Sequence, residues 1–420
     1  MKFPLPHEKK LPHEVPIHRP PTKLHNSILF SRIAGSLVGL AVGDALGASV
    51  EFRPRKYLLA HPVHDMTSGG TWNLKAGQWT DDTSMALCLA TSLINKGTFS
   101  PYDQMVRFKW WYRYGYLSST GVCFDIGNGT RKSLEEFTRR QVNLKKKLHI
   151  KDDYDVDQVP QKTIDKLQFN VFCSGPGACG NGALMRLAPV PLFFYRVPHI
   201  AVELSGHSSR LTHGDEVAID ACRYLGALIV AAVAGESKEN LLSERFYESH
   251  RSWFGRKALH QDILHVAAGS FKRQGGYNDG IRGAGHVVPS LEAALWAFWK
   301  GKSYEDGVMN AIHLGDDTDT TAAIYGQLAG AHYGYQSIPY NWIHQLYANS
   351  LIFCIAEWLQ ASSYRRRKVL DHKKYQYSSR QYGKPKQHYY HRMNGNISKL
   401  LPRPGDEAAR RSIGDKSMAK

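Results

Sequence analysis

Two stretches of this 420-residue chain concentrate side-chain oxygens. One is Thr80-Asp81-Asp82-Thr83, in GQWTDDTSMALCLA; the other is Asp316-Asp317-Thr318-Asp319-Thr320-Thr321, in HLGDDTDTTAAIYGQLAG. Each opens a run of small and apolar residues with helical spacing. Carboxylates and hydroxyls at that density suit hard divalent cations, Mg²⁺ or Mn²⁺ above all. Helix capping is the competing use, because Asp and Thr satisfy the free N–H groups of a first turn. A cap needs one side-chain oxygen, and each cluster offers several. If the clusters meet, their like charges require a cation between them. The pair therefore predicts a binuclear metal site with Asp81, Asp82, Asp317 and Asp319 as its carboxylates.

Helices must position these groups. Residues 28–47 read as a helix with Gly35, Gly39, Gly43 and Gly47 on one face. Interior glycine costs about 1 kcal/mol each against alanine. Close approach of another backbone is the expected compensation. The run after the second cluster places Ala322, Gly326, Gly330 and Gly334 at the same spacing, so the two stripes are candidate partners. Asp44 interrupts the first apolar run, and Glu51 follows just past its end. Other helical periods cover residues 80–95, 102–114, 130–139, 290–300 and 304–313, with two helices across 198–235 broken near Thr212-His213-Gly214. No alternating strand series appears. The expected fold is all-α, one compact domain over residues 27–364.

Three regions fall outside that pattern. Residues 1–26, rich in Pro, His and Lys, are expected to be disordered or loosely draped. Residues 141–168 are polar and charged and read as an exposed insertion. Within them Asp153, Asp155 and Asp157 imitate a calcium loop, but Gln158 and Ile164 stand where its Gly and Glu belong. Residues 365–420 show no core-forming pattern and are expected to be a disordered basic tail. Between them, Gly175, Gly177 and Gly180 satisfy G-x-G-x-x-G, but Pro189 and Pro191 stop the following helix early. What remains is a loop able to offer N–H groups to an anion.

The apolar fraction of 42% is that of a globular protein. Six cysteines without a CxxC pair argue against a zinc knuckle and for a reducing, cytoplasmic setting. No uncharged run of about 18 apolar residues appears, so no membrane partner is expected. Of the net charge of +17, about +12 falls in residues 365–420 and about +3 in the first 26. The basicity belongs to the tails, which leaves a polyanion contact to the C-terminal one and a near-neutral body.

Six ordered stretches, GSLVGLAVGDALGASVEF, GQWTDDTSMALCLA, CFDIGNGT, GNGALMRLAPVP, SSRLTHGDEVA and LGDDTDTTAAIYGQLAGAHYG, resemble the ADP-ribosylglycohydrolase family over residues 28–360. The resemblance implies an all-α hydrolase with two Mg²⁺ or Mn²⁺ ions; separately, a monomer is expected. It releases ADP-ribose from a modified protein or, alternatively, from a free ADP-ribosyl small molecule; a non-catalytic ADP-ribose-binding protein is the reading from another class. Carried over by motif, the metal ligands are Thr80, Asp81, Asp82, Asp317, Asp319 and Thr320. Glu51, Asp81 or Asp82 takes the proton. Asp125, Gly180, Asn181, Gly182, Ala183 and His213 contact the substrate.

Overall fold

A computed structural model of the protein describes residues 2–21 and 27–370. The fold is all-α: among these residues the β pairing is limited to two isolated antiparallel bridges, Gly69–Leu74 and Gly180–His286.

Two helices, Ser27–Gly47 and Thr318–Tyr333, lie antiparallel with their small-residue stripes face to face. Gly35 abuts the Gly330 carbonyl, Gly39 that of Gly326, Gly43 that of Ala322, and Gly47 the backbone of Asp319. A Cβ built on Gly39 would stand 2.6 Å from the Gly326 oxygen. Only glycine allows that separation. Dispersion contacts along two buried backbones offset its helix-propensity cost. Hydrogen bonds cross the seam as well: Thr318 Oγ1 donates to the Gly47 carbonyl at 2.9 Å, and Ser36 Oγ to that of Gln327 at 2.7 Å. Antiparallel packing carries Glu51, just beyond the first helix, to the start of the second, where Asp317 and Asp319 stand.

The helices Asp81–Lys96, Glu216–Ala234, Val287–Lys300 and Tyr304–Ile312 surround this pair, and Pro198–Arg210 packs on Glu216–Ala234. Two segments, Ile28–Val50 and Glu216–Ala234, are long and apolar enough to cross a bilayer by length and composition, but each carries charged residues and both are largely buried inside the protein.

Residues 2–21, expected to be disordered or loosely draped, are held on the body by a few anchors. They form two proline-initiated turns, Pro6–Glu8 and Pro12–Glu14, in which the glutamate accepts from the N–H of Leu5 or Leu11. Pro4, Pro6, Pro12 and Val15 are buried, and Trp358 Nε1 donates to the His18 carbonyl at 2.6 Å. Proline's fixed φ lowers the entropy lost on ordering, so a few anchors suffice.

Residues 141–168, expected to be an exposed insertion, are largely helical and mostly exposed, with a few buried side chains anchoring them. The helix Asn128–Leu148 runs into them, and Asp153–Asp157 and Gln161–Lys166 follow. Gln141, Leu144, Val156, Asp157 and Ile164 are buried. Asp157 forms a buried ion pair with Lys109 and accepts from Trp110 Nε1 at 2.8 Å and Gln141 Nε2 at 2.9 Å. The last helix, Asn349–Leu370, passes the expected boundary at 364. Residues 371–420, the larger part of the expected disordered tail, lie outside the described residues.

Candidate active site

The acidic centre sits where the C-terminal end of Ser27–Gly47 meets the first turns of Asp81–Lys96 and Thr318–Tyr333. Asp44 supplies the N-terminal hydrogen bonds of the Asp81–Lys96 helix from outside. Its Oδ1 accepts from Thr80 N at 2.9 Å, and its Oδ2 from Thr83 N at 2.9 Å and Thr83 Oγ1 at 2.6 Å. Neither N-cap residue, Thr80 or Asp317, makes a side-chain cap bond among the described residues. The first-turn N–H of Thr320 is met by Asp319, and Asp317 feels it too, but one such donor leaves most of the oxygens of Asp81, Asp82, Asp317 and Asp319 unexplained by capping.

Thr80 Oγ1 lies 3.0 Å from Asp44 Oδ1, 3.0 Å from Asp82 Oδ2 and 3.1 Å from Asp319 Oδ2. A hydroxyl has one hydrogen to give, so carboxylate oxygens crowd a single donor. Asp319 Oδ1 accepts from Thr320 N at 2.8 Å. Asp82 Oδ1 is buried and has no hydrogen-bond partner among the described residues. Oxygens of Asp44, Asp82 and Asp319 all lie within 4.8 Å of one another, as do those of Glu51, Asp125 and Asp319. Asp319 belongs to both groups.

Glu51 is buried beside Trp72, whose Nε1 donates to Oε2 at 2.7 Å. The Trp72 ring packs on Phe124 at 5.7 Å between centroids, next to Asp125. Asp125 has φ +58°, a left-handed conformation that Asp adopts more readily than most residues. Asp317 Oδ2 accepts from Asn181 Nδ2 at 2.7 Å, which ties the Gly180–Ala183 loop to the acidic centre. Asn181 N also donates to Gly285 O at 3.0 Å.

The structure brings Thr80, Asp81, Asp82, Asp317, Asp319, Thr320, Glu51 and Asp125 to one centre, with Asn181 at its edge. His213 is placed differently. Its ring is buried beneath the loop, where a Cβ on Gly182 would meet it at 2.9 Å, and Nδ1 lies 2.9 Å from Thr212 Oγ1. The Gly177 N–H is already taken by Asp215 Oδ2 at 2.7 Å. Sequence reasoning missed Asp44 and Trp72. The signal for Asp44 was present: a carboxylate inside an apolar helix must find a partner or a cation.

The electrostatics follow from burial and crowding. Burial pushes Asp44 up to about 6, against the hydrogen bonds from Thr83 and Thr80. Burial, assisted by Asp317, pushes Glu51 up to about 8, against the bond from Trp72. Asp125 rises to about 11 through burial and then the charges of Asp81 and Glu51. Asp81, Asp82 and Asp319 are held well above the usual carboxylate range, by burial first and neighbouring carboxylates second. Burial also raises Asp317. His213 is pushed down to about 3 by burial and Arg186, so its ring is neutral. A concentration of buried carboxylates short of donors fits divalent cations, which would supply the missing positive charge.

Residues 25–369 match the ADP-ribosylglycohydrolase family. The chain is 35% identical to the ADP-ribosylarginine hydrolase Tri1 of Serratia proteamaculans, with 82% of each chain covered. It is 36% identical to the protein of the same name from Pseudomonas putida, over 75% of this chain and 74% of that one. The ADP-ribosyl-[dinitrogen reductase] glycohydrolase of Rhodospirillum rubrum is 28% identical, over 75% of this chain and 90% of its own. A solved structure of an ADP-ribosylglycohydrolase-related protein complex superposes with a TM-score of 0.63 at 35% identity, covering 80% of this chain and 99% of that one. With its acidic centre built on the same stretches that the family match spans, the chain belongs to the ADP-ribosylglycohydrolase family.

Proposed function

We propose that the protein hydrolyses the bond between ADP-ribose and an arginine acceptor, at an acidic centre that takes two divalent cations, Mg²⁺ or Mn²⁺. The observation that carries this is Asp319, shared by two groups of carboxylates, with the unpartnered oxygen of Asp82 beside it. Arginine is favoured because the relatives matched at 35% and 36% identity are ADP-ribosylarginine hydrolases.

Asp44, Asp82 and Asp319 would hold one cation, and Glu51, Asp125 and Asp319 the other. Thr80, Asp81, Asp317 and Thr320 complete the proposed ligand set. Cations bound there would orient the ribose hydroxyls and acidify a water. The chain's own residues do the rest. Loss of the acceptor develops positive charge on the ribose, which the surrounding carboxylates stabilise. Trp72 fixes one oxygen of Glu51 and so orients its carboxyl group. Glu51, at the edge of the centre, can accept a proton from the attacking water and return it to the departing guanidine. The turn at Gly180–Ala183 is held to the centre by Asn181 and backed by His213, which fills the space beside Gly180 and Gly182, so the turn is a fixed wall against which the ADP-ribose would lie.

The test is ADP-ribose release from an arginine-ADP-ribosylated protein, with a serine-linked one as comparison. Release from arginine that EDTA abolishes and Mg²⁺ or Mn²⁺ restores is expected. Preference for the serine linkage, or turnover unaffected by EDTA, would overturn the reading.

A further inference from the structure

Arg186, just past the Gly180–Ala183 turn, is fully buried and makes no ion pair among the described residues. Its Nη1 donates to the Gly182 carbonyl at 2.7 Å, and its Nη2 to Thr212 Oγ1 at 2.7 Å. The guanidinium lies over the Phe108 ring, 4.5 Å from its centroid. Burying a cation without a counter-ion is costly. What the cost secures here is a planar fork that meets two acceptors from separate segments at once, which is the use of arginine over lysine.

The second acceptor leads on to His213. Thr212 is buried, and its hydroxyl meets two polar atoms among the described residues, Arg186 Nη2 and His213 Nδ1. Arginine can only donate, so Thr212 Oγ1 accepts from it. The single hydroxyl hydrogen then goes to His213 Nδ1, 2.9 Å away. Nδ1 is therefore an acceptor, and the neutral ring carries its proton on Nε2. Nε2 faces three glycines: a Cβ built on Gly180 or Gly182 would stand 3.2 Å from it, and one on Gly129 3.3 Å. The backbone beside the ring is fixed as well, since His213 N donates to Ser209 O at 2.8 Å and Ser133 Oγ to Thr212 O at 3.0 Å. The turn and the ring that backs it thus hang on one guanidinium.

We propose that Arg186 is a positioning residue: one arm of its fork fixes the Gly180–Ala183 turn, and the other, through Thr212, fixes His213 as the Nε2–H tautomer behind that turn. This rests on the activity proposed above, in which ADP-ribose lies against the turn. The carboxylates of the acidic centre are held by other means, Asp44 and the glycine seam. Loss of the fork should therefore loosen ADP-ribose and leave the cations in place.

The experiment has two readouts on the full chain. Long-range ¹H–¹⁵N correlation spectra of histidine-labelled protein, with the His213 signals assigned by their loss in His213→Gln, report the tautomer directly. Wild type and Thr212→Ser, which keeps the hydroxyl, should show the proton on Nε2; in Thr212→Val it should move at least partly to Nδ1. Calorimetric titration with ADP-ribose in Mg²⁺ gives the second. Affinity should fall about tenfold in Thr212→Val and in Arg186→Lys, which keeps the charge but loses the fork, and Thr212→Ser should recover it to within about twofold. Affinity for Mg²⁺ or Mn²⁺ should stay within about twofold in all three. A wild-type ring protonated on Nδ1 would overturn the proposal even if a variant failed to fold. So would wild-type ADP-ribose affinity in Arg186→Lys, or a matching loss of metal affinity, which would mean general loosening of the fold. A wild-type protein that binds metal but not ADP-ribose would instead sink the activity proposed above, and the role of the turn with it.

Discussion

Asp319 and Asp44 are both buried carboxylates, yet replacing each by its amide should have opposite effects. Asp44 accepts hydrogen bonds from Thr80 and Thr83 on both oxygens. An amide offers one acceptor and sets an N–H₂ against donors. Asp44→Asn should therefore cost stability, about 2 kcal/mol by denaturant unfolding in EDTA. Asp319 accepts from Thr320 N on Oδ1, a bond that an amide oxygen keeps, and its other oxygen shares the Thr80 hydroxyl with other carboxylates; burial and those charges oppose its ionisation. Asp319→Asn should hold or raise the melting temperature in EDTA, while turnover falls at least about a hundredfold and Mg²⁺ or Mn²⁺ no longer stabilises the protein. A variant equally active at limiting metal would remove Asp319 from the ligand set. The same residues set a pH dependence. The folded-state values of Asp44 and Glu51, about 6 and about 8, lie above those of the unfolded chain. Their contribution is thus fully stabilising below the unfolded value and is lost as pH rises through 6 and then 8. Cations compete with the same protons. Metal affinity should therefore weaken from pH 8.5 to 5.5, by about tenfold per pH unit for each proton displaced. The thermal gain from added metal should shrink in step; a gain that grew towards acid would contradict this.

At the scale of elements, the acidic centre depends on how closely two helices approach. Gly326→Ala would drive a methyl group into the Gly39 carbonyl, with Leu40 N at 3.0 Å from it. The helices would have to part, at a cost of about 3 kcal/mol or more. Because the seam sets Gly47 against Asp319, metal affinity should fall together with stability. An alanine variant with wild-type unfolding and wild-type metal binding would show that the seam does not position the site. This arrangement was legible in the sequence because its signals are local and repeated: glycines four apart in two helices, and an acidic cluster opening one of them. What was not legible depends on distant partners. Asp44 is explained by Thr80 and Thr83, 36 and 39 residues away. Residues 141–168 look solvated by composition, but Asp157 is matched by Lys109, 48 residues earlier, inside the protein. Trp72 gave no sign of its role, since only the folded loop turns its N–H toward Glu51.

Across the whole molecule, charge and chemistry are separated along the chain. The family match ends at residue 369, and the last described helix at Leu370. Residues 371–420 carry about +8 of the net charge of +17. The carboxylates of the proposed site all lie between Asp44 and Asp319, so a truncation after Leu370 removes none of them. A cut at 365 is a poorer choice, because it deletes the last turns of the Asn349–Leu370 helix. The truncated protein should release ADP-ribose from ADP-ribosylarginine within about twofold of the full chain. What should change is the response to polyanions. Contacts made by Lys and Arg with a polyanion release counterions, so they weaken steeply with salt. The full chain should be retained on heparin to higher salt than the truncated one, and the difference should disappear as ionic strength rises. Equal retention of the two proteins would assign the polyanion contact to the body, and a loss of turnover on the small substrate would bring residues 371–420 into the catalytic unit.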